Sequence, residues 1–299
     1  MQTPALSTSN AIRQRVRWAC RHEVLSPKLG NVFPGYEFPD LTVRHFLDAA
    51  EITADALTQS AYASLGDRVL RAIRHTRESC GTNVNLGIVL LLAPLVMAAE
   101  RGGPLRAGVR DVLAPLTAKD TADVYAAIAL AQPGGMGDVD EMDIADTPPI
   151  SLVSAMRSAA QWDRIAMQYA HDFSDLFDTV LPVLRHSFTL HTDAGTPAES
   201  QIARSVTLAQ WRLLCDQPDS LIARVHGESV AHDVCRRCAE LSLQWLPAPT
   251  SQRDWIALDA WMRSGQQGKK MNPGTTADLL AAALFVAAPE HASMHSHKK

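Results

Sequence analysis

The sequence predicts an all-α protein that forms a single compact domain of ten or more helices. Apolar residues recur at helical spacing in almost every periodic segment, and few windows alternate between apolar and polar residues as half-buried strands do. Of the 299 residues, 46% are hydrophobic and 20% are charged, which is ordinary for a globular protein with a sizeable core. We expect residues 1–290 to form this domain and residues 291–299 to be a mobile tail.

Periodicity and end signals place the helices along the chain. The first helix carries an apolar stripe of Ile12, Val16 and Ala19, with arginines on its other face. Thr42 is a candidate N-cap for the second helix. The helices predicted after Thr42 cover residues 43–57, 66–79, 88–99, 121–132, 151–177, 198–216, 229–246, 253–265 and 275–288.

Three irregular segments interrupt the predicted helices: residues 26–40, 132–149 and 265–274. They are rich in Gly, Pro, Asn, Asp and Lys, the residues that favour turns and loops. In a helical protein the chemistry usually lies where such loops meet helix ends, so we expect functional residues in or beside these segments.

Charge and cysteine content narrow the class of protein. The formal net charge is −4, which argues against a general nucleic-acid binder and leaves a local basic pocket as the alternative. The five cysteines are few and odd in number, which suits a reducing compartment better than a disulfide framework. We therefore expect a cytoplasmic protein with no nucleic-acid partner.

The second irregular segment is strongly acidic. Asp138, Asp140, Glu141, Asp143 and Asp146 lie within nine positions, and carboxylates this close repel one another unless they are solvated or neutralised by cations. A hard cation takes oxygen ligands and often bridges to substrate phosphates, so the four aspartates predict a Mg²⁺ site. A solvated acidic loop is the alternative.

The third irregular segment ends at a predicted helix start. Lys269 and Lys270 precede the turn at Asn272, and Thr275 or Thr276 can cap the helix that follows. Free N–H groups at a helix N-terminus, together with lysines, form an anion site. An ordinary capped surface helix has the same pattern.

Residues 80–95 change abruptly from polar to apolar. Asn83 and Asn85 carry hydrogen-bond donors and acceptors suited to a ligand, and the glycines around them permit close backbone approach. These residues could also merely cap the helix. The apolar run 88–99 contains Pro94 and is too short to span a bilayer, so it predicts a buried core helix and no membrane partner.

Six ordered motifs give the chain a family resemblance over roughly residues 20–290. The chain resembles the triphosphoribosyl-dephospho-coenzyme A synthase family. The motifs that carry the resemblance are "SPKLGNVFPGYEFPDLTVRHFLDAA", "GTNVNLGIVLLLAPL", "GGMGDVDEMDIAD", "AAQWDRIAMQYAHDF", "DSLIARVHGESVAHDV" and "MNPGTTADLLAAALFVA".

The resemblance implies a Mg²⁺-dependent transferase of cofactor biosynthesis. Family synthases convert ATP and 3′-dephospho-CoA into triphosphoribosyl-dephospho-CoA and adenine. Carried onto this sequence, Asp138 and Asp143 would be catalytic, and Asp138, Asp140, Asp143 and Asp146 would bind the metal. Asn83 and Asn85 would orient the ribose or triphosphate. The residues expected to hold phosphate are Lys28, Lys269, Lys270, Asn272, Thr275 and Thr276.

The opening motif departs from the family's decarboxylase branch. Asn85 stands where that branch has His, Leu86 replaces a basic residue, and Leu29 replaces Pro. The "TNxNLG" version is similar to a sister branch of methylotrophs and archaea that is associated with one-carbon cofactors. Two alternatives follow: a related transferase acting on a tetrahydromethanopterin or methanofuran precursor, and a non-catalytic nucleotide-binding helical protein. A homodimer is also left open.

Overall fold

The computed structural model describes residues 4–59, 63–132, 151–190, 199–241, 252–265 and 268–288. Over these ranges it contains fourteen α-helices and no strand, which confirms the all-α fold. The helices are α1 Pro4–Leu25, α2 Val43–Thr58, α3 Leu65–Cys80, α4 Leu86–Arg101, α5 Leu105–Leu113, α6 Ala118–Ala131, α7 Leu152–Ala159, α8 Arg164–Ala170, α9 Leu181–Thr189, α10 Glu199–Asp216, α11 Ser220–His226, α12 Glu228–Glu240, α13 Arg253–Ser264 and α14 Gly274–Ala287. A π-helical turn, Leu176–Val180, leads into α9.

Two helices form the centre of the core. In α4 every residue from Leu86 to Val96 is buried, and in α14 nearly every residue from Thr275 to Phe285 is buried. A helix that is apolar on all sides must be surrounded by others, and α4 packs against α1, α3, α5 and α14. The prediction that residues 88–99 form a core helix is confirmed. Among the described residues no single helix is long and apolar enough to cross a membrane.

The predicted helix over residues 151–177 is wrong as one element. It is broken after α7, because Asp163 accepts from two N–H groups that start α8. It breaks again where Asp172 and Phe173 adopt left-handed backbone conformations, with φ of 51° and 61°. Periodicity alone could not detect these breaks, since the apolar spacing continues across both.

The helix starts confirm one predicted cap and correct another. Thr42 is the N-cap of α2, as predicted, and its N–H donates to His45 Nδ1. The last helix does not begin at a threonine cap. It begins at Gly274, with Pro273 in the N-cap position, and Thr276 lies inside the first turn.

The segment between α1 and α2 lies in a second, smaller core, where hydrogen bonds join it to residues from the later part of the chain. Leu29 exchanges two hydrogen bonds with the Gln210 side chain, and the Gly30 N–H donates to Asp259 Oδ1. The Asn31 amide donates to the Pro273 carbonyl at 3.2 Å. The first and third irregular segments are therefore neighbours in space, beside the start of α14.

Candidate functional site

The first turns of α4, α8, α11 and α14 meet in one region. Ser220 Oγ donates to Thr275 Oγ1 at 3.0 Å and accepts from the Arg164 N–H at 3.2 Å. The Tyr169 hydroxyl of α8 donates to the Leu90 carbonyl of α4 at 2.6 Å. Helix N-termini favour negative charge because their dipoles and free N–H groups point outward. We call this region the helix-start corner and define it by residues 85–88, 163–166, 219–222 and 274–278.

Asp219 joins two of these helix starts through a buried carboxylate. Its Oδ1 accepts from the N–H groups of Leu221 and Ile222, which caps α11. Its Oδ2 accepts from the N–H of Thr276 at 2.8 Å and from the Thr276 hydroxyl at 2.7 Å. Burial raises the pKa of the Asp219 carboxyl, although these hydrogen bonds oppose the rise. All of its contacts are structural, so Asp219 fixes the geometry of the corner.

Asp163 plays the same part for α8. Its Oδ1 accepts from the N–H groups of Ile165 at 2.8 Å and Ala166 at 3.1 Å. Its Oδ2 pairs with Arg224 of α11 at 2.9 Å. The pair connects α8 to α11 and brings one cation into a region that otherwise holds acids.

Asp278 differs from these two acids because nothing described in the structure pairs with it. It lies in the first turns of α14, is half-buried, and receives no hydrogen bond or ion pair from any described residue. A Cβ on Gly87 would lie 2.0 Å from Asp278 Oδ2 and 2.6 Å from Ile165 Cδ1. Glycine is therefore required in α4 for the Asp278 carboxylate to approach.

The surroundings of Asp278 favour its neutral form. Burial raises the pKa of this carboxyl well above its ordinary value, and the charges of Glu23, Asp219 and Asp163 raise it further. Among the main contributors, only the charge of Arg224 lowers the pKa of Asp278. A carboxyl with a raised pKa keeps its proton to a higher pH than an ordinary aspartate, so it can donate a proton under conditions where that aspartate is ionised.

Lys28, predicted to hold phosphate, points into the protein instead. Its side chain is fully buried, and its ammonium lies 3.1 Å from Glu23 Oε1. It also donates to the carbonyls of Glu23 and Ser26. Burial lowers the pKa of Lys28 and raises that of Glu23, and the ion pair opposes both shifts. Lys28 could reach a phosphate only if these contacts were broken.

The two predicted asparagines have different surroundings. Asn83 Oδ1 accepts from the Leu86 N–H at 3.2 Å and so caps α4. The Asn85 amide donates to Thr53 Oγ1 at 2.9 Å and to Thr76 Oγ1 at 3.1 Å. Asn85 is 4% exposed, and its Oδ1 has no partner among the described residues. Asn83 therefore has the capping role considered from the sequence, whereas Asn85 keeps an unused acceptor.

A cavity of about 10 Å³, the size of one water molecule, lies beside Asn85. It is bounded by helices α1, α2 and α4. Its lining residues are Cys20, Glu23, Phe46, Ala49, Ala50, Thr53, Asn85 and Ile88. The polar groups in this lining come from Glu23, Thr53 and Asn85, so the cavity is a place for a small hydrogen-bonding group.

The predicted phosphate residues before α14 lie on the loop that enters the corner. Lys269 is exposed. Lys270 pairs with Asp40 at 3.0 Å and lies 4.0 Å from the centre of the Phe38 ring. Asn272 Oδ1 is buried and lacks a partner within the described residues. The Lys270 ammonium is thus taken up by Asp40 and Phe38, and the anion site predicted for this loop remains a prediction.

The predicted metal ligands fall in a part of the chain that the structure does not describe. Asp138, Asp140, Asp143 and Asp146 all lie between residues 132 and 151, outside the described ranges. Among the described residues no group of three or more His, Cys, Asp or Glu side chains could hold a metal ion. The predictions of Mg²⁺ and of Asp138 and Asp143 as catalytic residues therefore remain predictions.

Sequence reasoning missed two acids of the corner and the nearby Glu23 of α1. Glu23, Asp219 and Asp278 were not proposed as functional, although Asp219 and Asp278 belong to motifs quoted above. One signal could have found Asp278. It is the only charged residue of α14, and a charge is retained in a buried apolar helix only at a cost that function or pairing must offset.

Comparisons with known proteins agree with this architecture. The family profile described as CitG, ATP:dephospho-CoA triphosphoribosyl transferase, matches residues 9–296. The crystal structure of a candidate triphosphoribosyl-dephospho-CoA synthase from Archaeoglobus fulgidus is similar, with a TM-score of 0.60 and 23% sequence identity. The alignment covers 81% of this chain and 97% of that one, which shows a shared fold. A comparison with curated proteins finds no significant match.

Proposed function

The chain belongs to the CitG family of ATP:dephospho-CoA triphosphoribosyl transferases, and from this premise we propose that it transfers the triphosphoribosyl group of ATP to 3′-dephospho-CoA and releases adenine. The bond between ribose C1′ and adenine breaks, and an acceptor hydroxyl forms a new bond to C1′. The hydroxyl loses a proton and adenine gains one, so the reaction balances. The family match makes the protein a transferase of coenzyme biosynthesis, and the details of the reaction are our proposal.

The helix-start corner is the observation that supports this chemistry best. Breaking a glycosidic bond develops positive charge on the ribose ring, which nearby carboxylates stabilise. Four acids lie close enough to interact, since the charges of Glu23, Asp219 and Asp163 all raise the pKa of Asp278. Their carboxyls come from four separate segments of the chain, three of which belong to the family-like motifs. Asp163 and Asp219 cap helix starts, whereas Asp278 has no partner among the described residues, and an unpaired acid is expected at a catalytic site more than in a purely structural role.

The triphosphate needs cations, and those at the corner, Arg164 and the neighbouring Arg224, are already paired with Asp175 and Asp163. We assign its binding to Lys269 and Lys270, with the start of α14 from Asn272 to Thr276 providing N–H groups. The acidic segment has the donor set that suits Mg²⁺, and Asp138, Asp140, Asp143 and Asp146 would hold the ion. Bound Mg²⁺ would neutralise phosphate charge. In this proposal Asp138 and Asp143 also serve as bases for the acceptor hydroxyl.

A second acceptor is favoured by one observation. Asn85 replaces the family's His, and the structure gives its amide two well-placed partners, Thr53 and Thr76. Leu86, which replaces a basic residue, is buried. The opening motif is therefore a consistent variant with its own packing. A precursor of tetrahydromethanopterin or methanofuran would then replace dephospho-CoA as the acceptor in one-carbon metabolism.

Adenine release tests the proposal. The protein is incubated with ATP, Mg²⁺ and dephospho-CoA, and the products are separated by chromatography. Free adenine and a product heavier by one triphosphoribosyl group are expected. ADP or AMP without adenine would overturn glycosyl transfer, and turnover only with a pterin or furan precursor would identify the second acceptor.

Calorimetry separates an enzyme from a non-catalytic binding protein. Mg²⁺–ATP should bind, and Asp143→Ala should weaken that binding. If Mg²⁺–ATP does not bind, both the magnesium site and the ATP site are refuted.

We also propose a cytoplasmic protein, because all five cysteines are free thiols. The homodimer remains a prediction, which sedimentation velocity can test.

A further inference from the structure

Asp278 is placed where a carboxylate is costly and unpaired. The rest of its helix is apolar and mostly buried, and no described residue hydrogen-bonds or ion-pairs with it. Glycine at position 87 removes the side chain that would displace it. An acid that only stabilised the fold would be paired, as Asp163 and Asp219 are. Because Asp278 keeps partial solvent access, a ligand can reach it.

A neighbouring group independently indicates a ligand. Asn85 is 4% exposed, and its Oδ1 is unpartnered and lies at the cavity that Glu23 also lines. Glu23 in turn acts on the charge state of Asp278. The cavity beside Asn85 and the Asp278 carboxyl are neighbours, because Glu23 and Cys20 line the cavity and both interact electrostatically with Asp278. A buried acceptor without a partner, as at Asn85 Oδ1, is expected where a bound molecule supplies the missing donor.

We propose that Asp278 is the proton donor to the departing purine base, an inference that rests on the proposed glycosyl transfer. As the bond from C1′ to adenine breaks, the Asp278 carboxyl gives its proton to a ring nitrogen of the base. The base leaves neutral, and Asp278 becomes a carboxylate beside the positively charged ribose. The acceptor hydroxyl then loses its proton, and Asp278 is protonated again from solvent. No oxidant or further reactant is needed.

The charges around Asp278 keep it in the form that this role requires. Three acidic groups and one cation act on its charge state. The titratable groups that act on it or are acted on by it are Cys20 and Glu23 of α1, Asp163 before α8, Asp219 before α11 and Arg224 of α11. From α4 the uncharged Gly87 lies against its carboxyl. A neutral acid also avoids repulsion of the triphosphate, which a fourth anion would add.

The test compares two donor nucleotides. ATP needs its base protonated on departure, whereas 7-methyl-ATP carries a positively charged base that leaves without a proton. Asp278→Asn should slow adenine release from ATP by about 10²–10⁴-fold, the usual contribution of a general acid. The same variant should release 7-methyladenine at close to the wild-type rate. Asp178→Asn, an exposed acid paired with Arg106, is the matched control and should leave both rates unchanged.

Each outcome is decisive. Equal slowing on both nucleotides, or no slowing on ATP, would overturn the role of Asp278. Wild-type protein that releases no base from either nucleotide would instead refute the proposed function. If Asp278→Asn fails to fold, the wild-type pH profile replaces it. The rate with ATP should fall as Asp278 loses its proton at higher pH, and the rate with 7-methyl-ATP should not fall in that range. Identical profiles would refute the proposal.

Discussion

Two glycines in the first turns of helices each lie against an aspartate, but only one of the two aspartates receives hydrogen bonds. Gly66 in the first turn of α3 lies against Asp120, and Gly87 in the first turn of α4 lies against Asp278. Asp120 accepts from the Gly66 N–H at 3.0 Å and from the Thr117 N–H and hydroxyl at 2.9 Å and 2.7 Å. Asp278 accepts from none of the described residues.

The pKa shifts of the two acids follow from this difference. Burial raises the pKa of both. For Asp120 the hydrogen bonds from Gly66 and Thr117 outweigh burial, and its pKa lies below the ordinary value. For Asp278 burial and neighbouring acids act together, and its pKa lies well above the ordinary value. A contact between a glycine and an aspartate can therefore either stabilise a helix start or hold an acid with a raised pKa. Which of the two occurs depends on whether the carboxylate receives hydrogen bonds.

The largest expected effect comes from removing each acid. Asp120→Ala leaves three donors without an acceptor and should destabilise the fold by about 2–3 kcal/mol. Asp278→Ala removes an unpaired carboxyl and should leave the free energy of unfolding unchanged or raise it. Urea denaturation at pH 7 measures both. A loss of stability in Asp278→Ala comparable to that of Asp120→Ala would show that Asp278 is also structural.

The glycines should separate stability from activity. A Cβ on Gly66 would lie 2.7 Å from the Asp120 Cα, a backbone atom that cannot easily move, so Gly66→Ala should cost about 1–3 kcal/mol. A Cβ on Gly87 meets the ends of two side chains, which can shift. Gly87→Ala should therefore cost less stability but displace Asp278 and reduce adenine release. Thermal melts and the chromatographic assay, run on both variants, measure the contrast.

The pH dependence of stability should have opposite signs at the two sites. Asp120 has a lowered folded pKa, so its contribution is complete above the unfolded value near 3.9 and is lost as the pH falls below it. Asp278 has a raised folded pKa, so the folded state loses stability as the pH rises from about 3.9 through that pKa. Melting temperatures of wild type, Asp120→Asn and Asp278→Asn across this range test both signs. Parallel curves for wild type and Asp278→Asn would contradict the raised pKa.

The smallest stability effect is expected at the edge of the corner. Lys270 forms an ion pair with Asp40, which is largely exposed, and such pairs contribute at most about 1 kcal/mol. Lys270→Met should therefore leave the melting temperature nearly unchanged while raising the KM for ATP. Glu240→Gln, which breaks an exposed pair with Arg236 away from the corner, is the control. An unchanged KM would remove Lys270 from the triphosphate site.

The fold was largely predictable, because helical periodicity depends on local spacing. The core helix α4 followed from its unbroken apolar run, and the cap at Thr42 followed from its residue type. The break before α8 did not, since Asp163 interrupts no apolar spacing.

The site was less predictable, because its residues acquire their roles from distant partners. The sequence predicts that Lys28 holds phosphate, whereas in the structure its buried side chain forms an ion pair with Glu23. Asp278 carries one signal in the sequence, as the only charged residue of α14, but its lack of a partner and its contact with Gly87 are visible only in the structure.

The packing of α1 against α14 has a consequence for biosynthesis. Arg15 donates to the Phe285 carbonyl at 2.8 Å, and Glu23 and Asp278, which share the corner, come from opposite ends of the chain. A nascent chain that has emerged only as far as α13 has no α14 to cover α4, so the apolar surface of α4 stays exposed until α14 emerges. The order of synthesis therefore delays assembly of the helix-start corner until α14 folds, and a nascent chain without α14 should lack the proposed activity.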